Sequence, residues 1–147
     1  MELGVDREAL ADSVRSGLTR LLAARDDGSL ADLLAEHGVD LLTVHGSAAR
    51  GEELPRDLDL GVLFADDDGN DVVGLLVALE RLARCPVDVM DVRRASPVAR
   101  ARALAHDAVP VHEARPGLWA RQQMAAATLE MELAPLRRRQ LELMAAS

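Results

Sequence analysis

Aromatic side chains are nearly missing from this chain, which has no tyrosine, one phenylalanine (Phe64) and one tryptophan (Trp119). A platform of several stacked aromatics is therefore unavailable, and single-stranded nucleic acid bound in that mode is not expected. Cysteine is confined to Cys85, so an internal disulfide cannot form, and a small buried hydrophobe is its expected role. No stretch approaches the roughly 18 consecutive apolar residues of a membrane helix, so no membrane span is expected. The opening MELGVDREALADSV is acidic and amphipathic, not basic followed by apolar, so it does not read as a secretory signal and cytoplasmic residence is expected. Positive charge is in deficit: the formal net charge of −8 argues against a broad basic face that grips nucleic acid.

What the 147 residues do contain is enough for one domain with a real core, and one stretch on which the rest is organised, residues 45–62, HGSAARGEELPRDLDLGV. Asp57 and Asp59 interleave with Leu58 and Leu60, a strand pattern in which residues two apart share a face. At a rise of roughly 3.3 Å per residue their Cα atoms lie about 7 Å apart, near enough for both carboxylates to reach one hard cation or a pair. Mg²⁺ suits such a site because it takes oxygen ligands and shares them with substrate phosphates. Upstream, the apolar Leu41, Leu42 and Val44 lead through His45 into Gly46-Ser47, and Ala48-Ala49-Arg50 read as the first turn of a helix. A strand, a glycine turn and a helix start present free backbone N–H groups and a positive helix end to phosphate. Gly46 permits close backbone approach, Ser47 can cap and bond a phosphate oxygen, and Arg50 either orients the loop or contacts an anionic ligand.

Gly46-Ser47, Ala49-Arg50-Gly51-Glu52 and Asp57-x-Asp59-Leu60-x-Val62 together resemble the signature of polymerase-β-like nucleotidyltransferases, in particular the minimal nucleotidyltransferases (MNT). The resemblance covers roughly residues 37–113. It implies an α+β fold with a small mixed sheet flanked by helices, here with an N-terminal helical segment and a long C-terminal helix. It also implies ATP held at Gly46, Ser47 and Arg50, two Mg²⁺ ions on Asp57, Asp59 and a third carboxylate, and transfer of AMP to a hydroxyl. Asp88, in Pro86-Val87-Asp88-Val89-Met90, stands where the third carboxylate belongs. Where the family commonly has a serine before the first aspartate, this chain has Arg56.

The rest of the chain reads in order as follows. Leu10, Val14, Leu18, Leu21 and Leu22 predict an amphipathic helix over residues 6–25. Ser29 with Asp32 resembles a capping box for a second helix over 30–37, ended by Gly38. Strands are predicted over 39–45, 58–64 and 87–92, a short helix over 47–53, and a helix over 71–84 with Val72, Leu75, Leu76, Leu79 and Leu82 inward. Asp66-Asp67-Asp68 is expected in a solvated turn. Asp88 and Asp91 are three apart and face opposite sides, so only one can join the pair from the second strand; Asp88 is chosen, and Asp91 is then expected to be exposed. Arg93, Arg94, Arg100 and Arg102 flank Ser96-Pro97, where proline starts a helix of about ten residues; these arginines are expected on a solvated face, the alternative being triphosphate or an acidic partner. Val109-Pro110-Val111-His112 suits an edge strand. From Pro116 to the end the pattern is one long helix with apolar faces at Leu118, Met124, Leu129, Leu133, Leu136, Leu143 and Met144. None of His37, His45, His106 and His112 shows metal-ligand spacing; His45 alone stands near the motif, and a structural role is expected for it.

The functional expectation is thus a Mg²⁺-dependent nucleotidyltransferase. Resemblance to MNT proteins implies the antitoxin of a HEPN/MNT toxin–antitoxin pair, adenylylating a tyrosine of its HEPN-type toxin partner. This chain, lacking tyrosine, needs an acceptor in trans. A small-molecule transferase of the aminoglycoside type, completed by homo-oligomerisation through the C-terminal helix, and a non-catalytic partner-binding antitoxin are the alternatives. The acidic rim near the motif (Glu52, Glu53, Asp66, Asp67, Asp68, Asp71) suits divalent cations and a cationic or protein acceptor better than a nucleic-acid strand. One domain is expected over residues 1–147, with its core at about 37–113.

Overall fold

The computed structural model describes residues 3–51, 54–104 and 107–146, with side chains from residue 6 onward. Glu52, Glu53 and His106 lie outside the described residues. The chain begins with two helices, α1 (Leu3–Asp27) and α2 (Ser29–Glu36). Val14 and Leu21 of α1 are fully buried and Leu10, Leu18 and Leu22 pack around them, the stripe that helical spacing predicts. The capping box expected for α2 is not what forms. Ser29 lies inside the helix, Gly28 at φ 88° is the cap residue, and Asp27 Oδ1 accepts from both the Ser29 N–H (2.8 Å) and its hydroxyl (2.6 Å). The aspartate two residues earlier wins because glycine's left-handed conformation turns it back over the helix start.

The sheet follows: β1 (Val39–His45), β2 (Leu58–Phe64), β3 (Val87–Asp91) and β4 (Val109–Glu113), in spatial order β3-β2-β1-β4. β1 runs antiparallel to β2 and β4, whereas β2 and β3 are parallel. Parallel neighbours need a crossover, supplied by α4 (Val72–Ala83), which Asp71 caps by accepting from the Gly74 N–H at 2.9 Å. The architecture is the expected α+β one, a mixed sheet with helices on both faces.

Alternation along β2 decides which face does what. Leu58, Leu60, Val62 and Phe64 join Leu42 and Val44 of β1 in a core closed by α1, α2 and α4. The intervening positions, Asp59, Gly61 and Leu63, face the other way. There a smaller core of Leu41, Leu63, Val92, Ala103, Leu104, Leu118 and Ala126 joins the sheet to α5 (Pro97–Leu104) and α6 (Leu118–Ala146). Gly61 sits at the closest approach of α5: a Cβ there would come within 2.6 Å of Thr43 Oγ1 and 3.0 Å of Ala103 Cβ. Thr43 is fully buried and its hydroxyl donates to the Ala103 carbonyl, which ties β1 to the end of α5.

Two arginines expected on a solvated face prove to be fasteners. Arg93 Nη1 donates to the Phe64 carbonyl (2.7 Å) and pairs with Asp67 (3.0 Å), and Arg100 donates to the carbonyls of Val92 (2.7 Å) and Arg93 (2.9 Å). Backbone carbonyls left open at the ends of β2 and β3 attract them, since such groups need donors. Asp91 also departs from expectation. Its side chain is only 14% exposed, lying against Arg94, and its Oδ1 accepts from the Arg93 N–H (3.1 Å), whereas Asp88 on the edge strand is the exposed one. Along α6, Leu118 and Ala126 are buried, but Met124, Met131, Leu136, Leu141, Leu143 and Met144 are each at least 60% exposed.

Replacing Gly61 with alanine is expected to destabilise the protein by about 1–3 kcal/mol, the range for overpacking a filled site. In a denaturant titration the midpoint should fall with the slope unchanged.

Candidate active site

The β1–α3 junction sets the geometry. β1 ends at His45 and α3 (Gly46–Ala49) begins at once, Gly46 taking φ 75°, a conformation that L side chains rarely adopt. Space imposes glycine as well, because a Cβ at Gly46 would lie 3.0 Å from Asp59 Cγ. The turn and the carboxylate are therefore in direct contact. α3 is a single turn, closed by the Arg50 N–H donating to the Gly46 carbonyl (3.2 Å). Four residues give little macrodipole, so what such a turn offers an anion is the N–H groups of its first residues, Gly46 and Ser47, more than a helix field.

Three carboxylates meet across from this turn. Asp57 precedes β2, Asp59 lies in it, and Asp88 lies opposite Asp59 in the parallel register of β3. Each offers an oxygen, and all three lie within 4.8 Å of one another. Crowding has an electrostatic signature: Asp59 has its pKa pushed up to about 6, first by burial, then by the charges of Asp57 and Asp88 and a hydrogen bond with Asp57, with Arg50 opposing. An all-oxygen, trianionic cluster with one strained member is the donor set a hard divalent cation takes, and Asp57, Asp59 and Asp88 fit Mg²⁺ on that ground.

The structure thus brings together all six residues singled out in the sequence. Gly46 and Ser47 open α3, Arg50 caps it, and the three aspartates stand opposite. A seventh extends the row. His45 is the cross-strand partner of Asp59, so His45, Asp59 and Asp88 stand side by side on β1, β2 and β3. His45 is only 8% exposed, and burial lowers its pKa, with Asp88 opposing. Its Nε2 is buried without a hydrogen-bond partner, an arrangement that costs about 1–3 kcal/mol.

His45 also lines a cleft of about 400 Å³ between the Gly46-Ser47 turn and the two C-terminal helices, walled by Gly46, Arg50, Val98, Arg102, Asp107, Ala108 and Glu130. Sequence reasoning did not find this cleft. For His45 a signal existed, since the β1 alternation that buries Leu42 and Val44 sends Thr43 and His45 to the face of Asp59. For Arg102 and Glu130 none existed, because only the docking of α5 and α6 brings them to the turn.

The family model described as Polymerase beta, Nucleotidyltransferase matches residues 29–112 of this chain, more than half its length. Among curated proteins none matches the sequence. Among solved structures, a chain of a toxin–antitoxin complex with AMP-PNP aligns with a TM-score of 0.64 at 20% identity, over 81% of this chain and 98% of that one. A chain of the MntA-HepT toxin–antitoxin gives 0.61 at 18% identity, over 81% and 96%. The complex of a tri-AMPylated Shewanella oneidensis HEPN toxin with MNT antitoxin gives 0.61 at 18%, over 81% and 95%. At such identities the likeness to these structures is one of fold. The match over residues 29–112, which spans the Gly46-Ser47 turn, the paired aspartates and Asp88, decides the rest: the chain belongs to the polymerase β nucleotidyltransferase family.

Proposed function

We propose that this chain is a Mg²⁺-dependent nucleotidyltransferase that moves AMP from ATP to a hydroxyl of a protein partner, as the antitoxin of a HEPN/MNT pair acting in the cytoplasm. The observation that carries the reading is the convergence of Asp57, Asp59 and Asp88 against a glycine turn that can receive phosphate. The neighbouring structures with AMP-PNP and with an AMPylated HEPN toxin support ATP as donor and such a toxin as partner. Among the described residues no helix is long and apolar enough to cross a membrane.

In this reading the N–H groups of Gly46 and Ser47 and the Ser47 hydroxyl hold the phosphates, and Arg50 neutralises part of their charge. Asp57, Asp59 and Asp88 would hold two Mg²⁺ ions, whose charge would stabilise the oxygens of an in-line displacement at the α-phosphorus. Asp88 is exposed at the edge strand, so an acceptor hydroxyl approaches from its side and gives up its proton there. The new bond joins that oxygen to the α-phosphorus, and pyrophosphate leaves. Arg56, where relatives commonly have serine, is exposed beside Asp57 and leaves the three aspartates together. The whole of residues 1–147 serves as one domain, with the exposed apolar residues of α6 as the partner surface; a second copy of this chain is the other occupant that surface fits.

Purified protein should bind Mg-ATP in calorimetry, and Asp57→Ala/Asp59→Ala should bind none. With labelled ATP and a cognate HEPN protein, label should appear on the toxin; absence of label with the wild-type pair sinks the transferase reading.

Asp59 makes the site pH-sensitive. Its pKa is raised from 3.8 to about 6, so between those values the fold keeps a proton that the unfolded chain has lost. Metal-free stability is accordingly lost as pH rises through about 6. The interval amounts to at most about 3 kcal/mol, and solvent screening of a half-exposed carboxylate reduces it to about 1 kcal/mol. Asp59→Asn should therefore melt higher than wild type at pH 8 without metal and no higher at pH 4, while wild-type Mg²⁺ affinity falls below pH 6.

Met131→Glu/Leu143→Glu should leave Mg-ATP binding unchanged and weaken toxin capture at least tenfold in a pull-down titration. Unchanged capture moves the partner surface elsewhere.

A further inference from the structure

We propose that the outer edge of β3 is the docking site for the acceptor: an extended segment of the protein partner adds to the sheet there as a further strand and sets its hydroxyl-bearing residue opposite Asp88. The inference rests on the nucleotidyltransferase reading and names how that site receives its second substrate.

The ladder between β2 and β3 fixes which backbone groups look outward. The Leu58 N–H donates to the Pro86 carbonyl (2.9 Å) at one end and the Val92 N–H to the Val62 carbonyl (3.0 Å) at the other, and the parallel register between them runs unbroken from Leu58 opposite Val87 to Val62 opposite Asp91. In such a ladder a residue turns its N–H and C=O to the same side, and its neighbours turn theirs to the other. Asp88 and Met90 therefore bond β2, whereas Val87 and Val89 present both groups away from it. β3 ends the sheet, and among the described residues no hydrogen bond joins the outward groups of Val87 and Val89. Exposure agrees. No residue of β3 is fully buried, whereas β1 and β2 are buried at all but one position each.

The two edges of the sheet are built differently. β4 carries Pro110, and its pairing with β1 shifts register between Leu42 and Thr43, two devices that blunt an edge against further strands. β3 has neither a proline nor a register shift. An open edge is a liability that folds usually remove, and this one borders the three carboxylates.

Its phase suits the chemistry. Because Asp88 turns its backbone to β2, a strand added antiparallel on Val87 and Val89 places one residue in a non-hydrogen-bonded pair with Asp88, Cα atoms about 4.5 Å apart and side chains on one face. That face is the one Asp59 occupies, so a hydroxyl carried there meets the cluster from its exposed side. The residues flanking it point to the other face, where Val87 and Val89 pack on the large core, and apolar cross-strand partners fit there. The acceptor class is thus an extended, proline-free segment with a hydroxyl-bearing residue between two apolar ones.

Amide hydrogen exchange on the full chain reads the edge directly. Adding the cognate HEPN protein with Mg²⁺ and the α,β-methylene analogue of ATP, which blocks transfer, should slow exchange at Val87 and Val89 about a hundredfold. Val89→Pro removes an outward N–H and no bond to β2; it should lower kcat/KM for the HEPN protein about tenfold with Mg-ATP affinity unchanged in calorimetry. Val89→Thr, which keeps the N–H, should transfer label as the wild type does. Transfer by the wild type while Val87 and Val89 exchange at the free-chain rate overturns the inference, as does a wild-type rate in folded Val89→Pro; in both cases the nucleotidyltransferase reading stands. If Val89→Pro melts at room temperature, the exchange result decides alone. A wild-type pair that transfers no label removes that reading and this inference with it.

Discussion

Like charges forced together are the constraint on which this structure depends. Asp57, Asp59 and Asp88 are held within 4.8 Å of one another by two strands whose register is fixed from outside the site. Apolar alternation in β2 sets Asp59 on one face because Leu58, Leu60 and Val62 must occupy the other. A slip of one residue would bury the carboxylates under α1 and α4, so the large core prevents the small repulsion from relaxing. That the raised pKa falls on Asp59, the middle member of the row, fits this account: it has a carboxylate on one side, the Gly46 backbone against it, and a buried imidazole beyond.

The two faces of the sheet answer to different physics. On one, α1, α2 and α4 close a continuous apolar core, and side chains there can be exchanged for others of like volume. On the other, a smaller apolar core is supplemented by close contacts of small residues and by polar ties: Gly61 under Ala103, the Thr43 hydroxyl on a helix carbonyl, and the guanidinium of Arg100 on the last carbonyls of the β3 region. Contacts of that kind are specific in direction and intolerant of bulk. They leave room beside them, and the cleft at His45 occupies it.

Legibility in the sequence followed the range of the interaction. β1 and β2 have the expected bounds because alternation is a local signal, and the Gly46-Ser47 turn and the paired aspartates were readable with them. Asp88 rather than Asp91 lies beside Asp57 and Asp59, but Asp91 is not exposed as expected, because strand periodicity tells sides apart and says nothing of the Arg93-Arg94 turn that folds over Asp91. Ser29 had the composition of a cap and lost the role to Asp27, a contest settled by the left-handed Gly28. The four arginines around Ser96-Pro97 looked alike as a charge run. Arg93 and Arg100 fasten strand ends, a third, Arg102, reaches the cleft, and only tertiary docking distinguishes them.

Beyond Ala126, no described residue of α6 is buried, although the helix continues to Ala146. Twenty residues of regular secondary structure therefore contribute nothing to either core. Substitutions beyond Glu130, at apolar positions included, can therefore accumulate without disturbing the sheet, the turn or the cleft beside it.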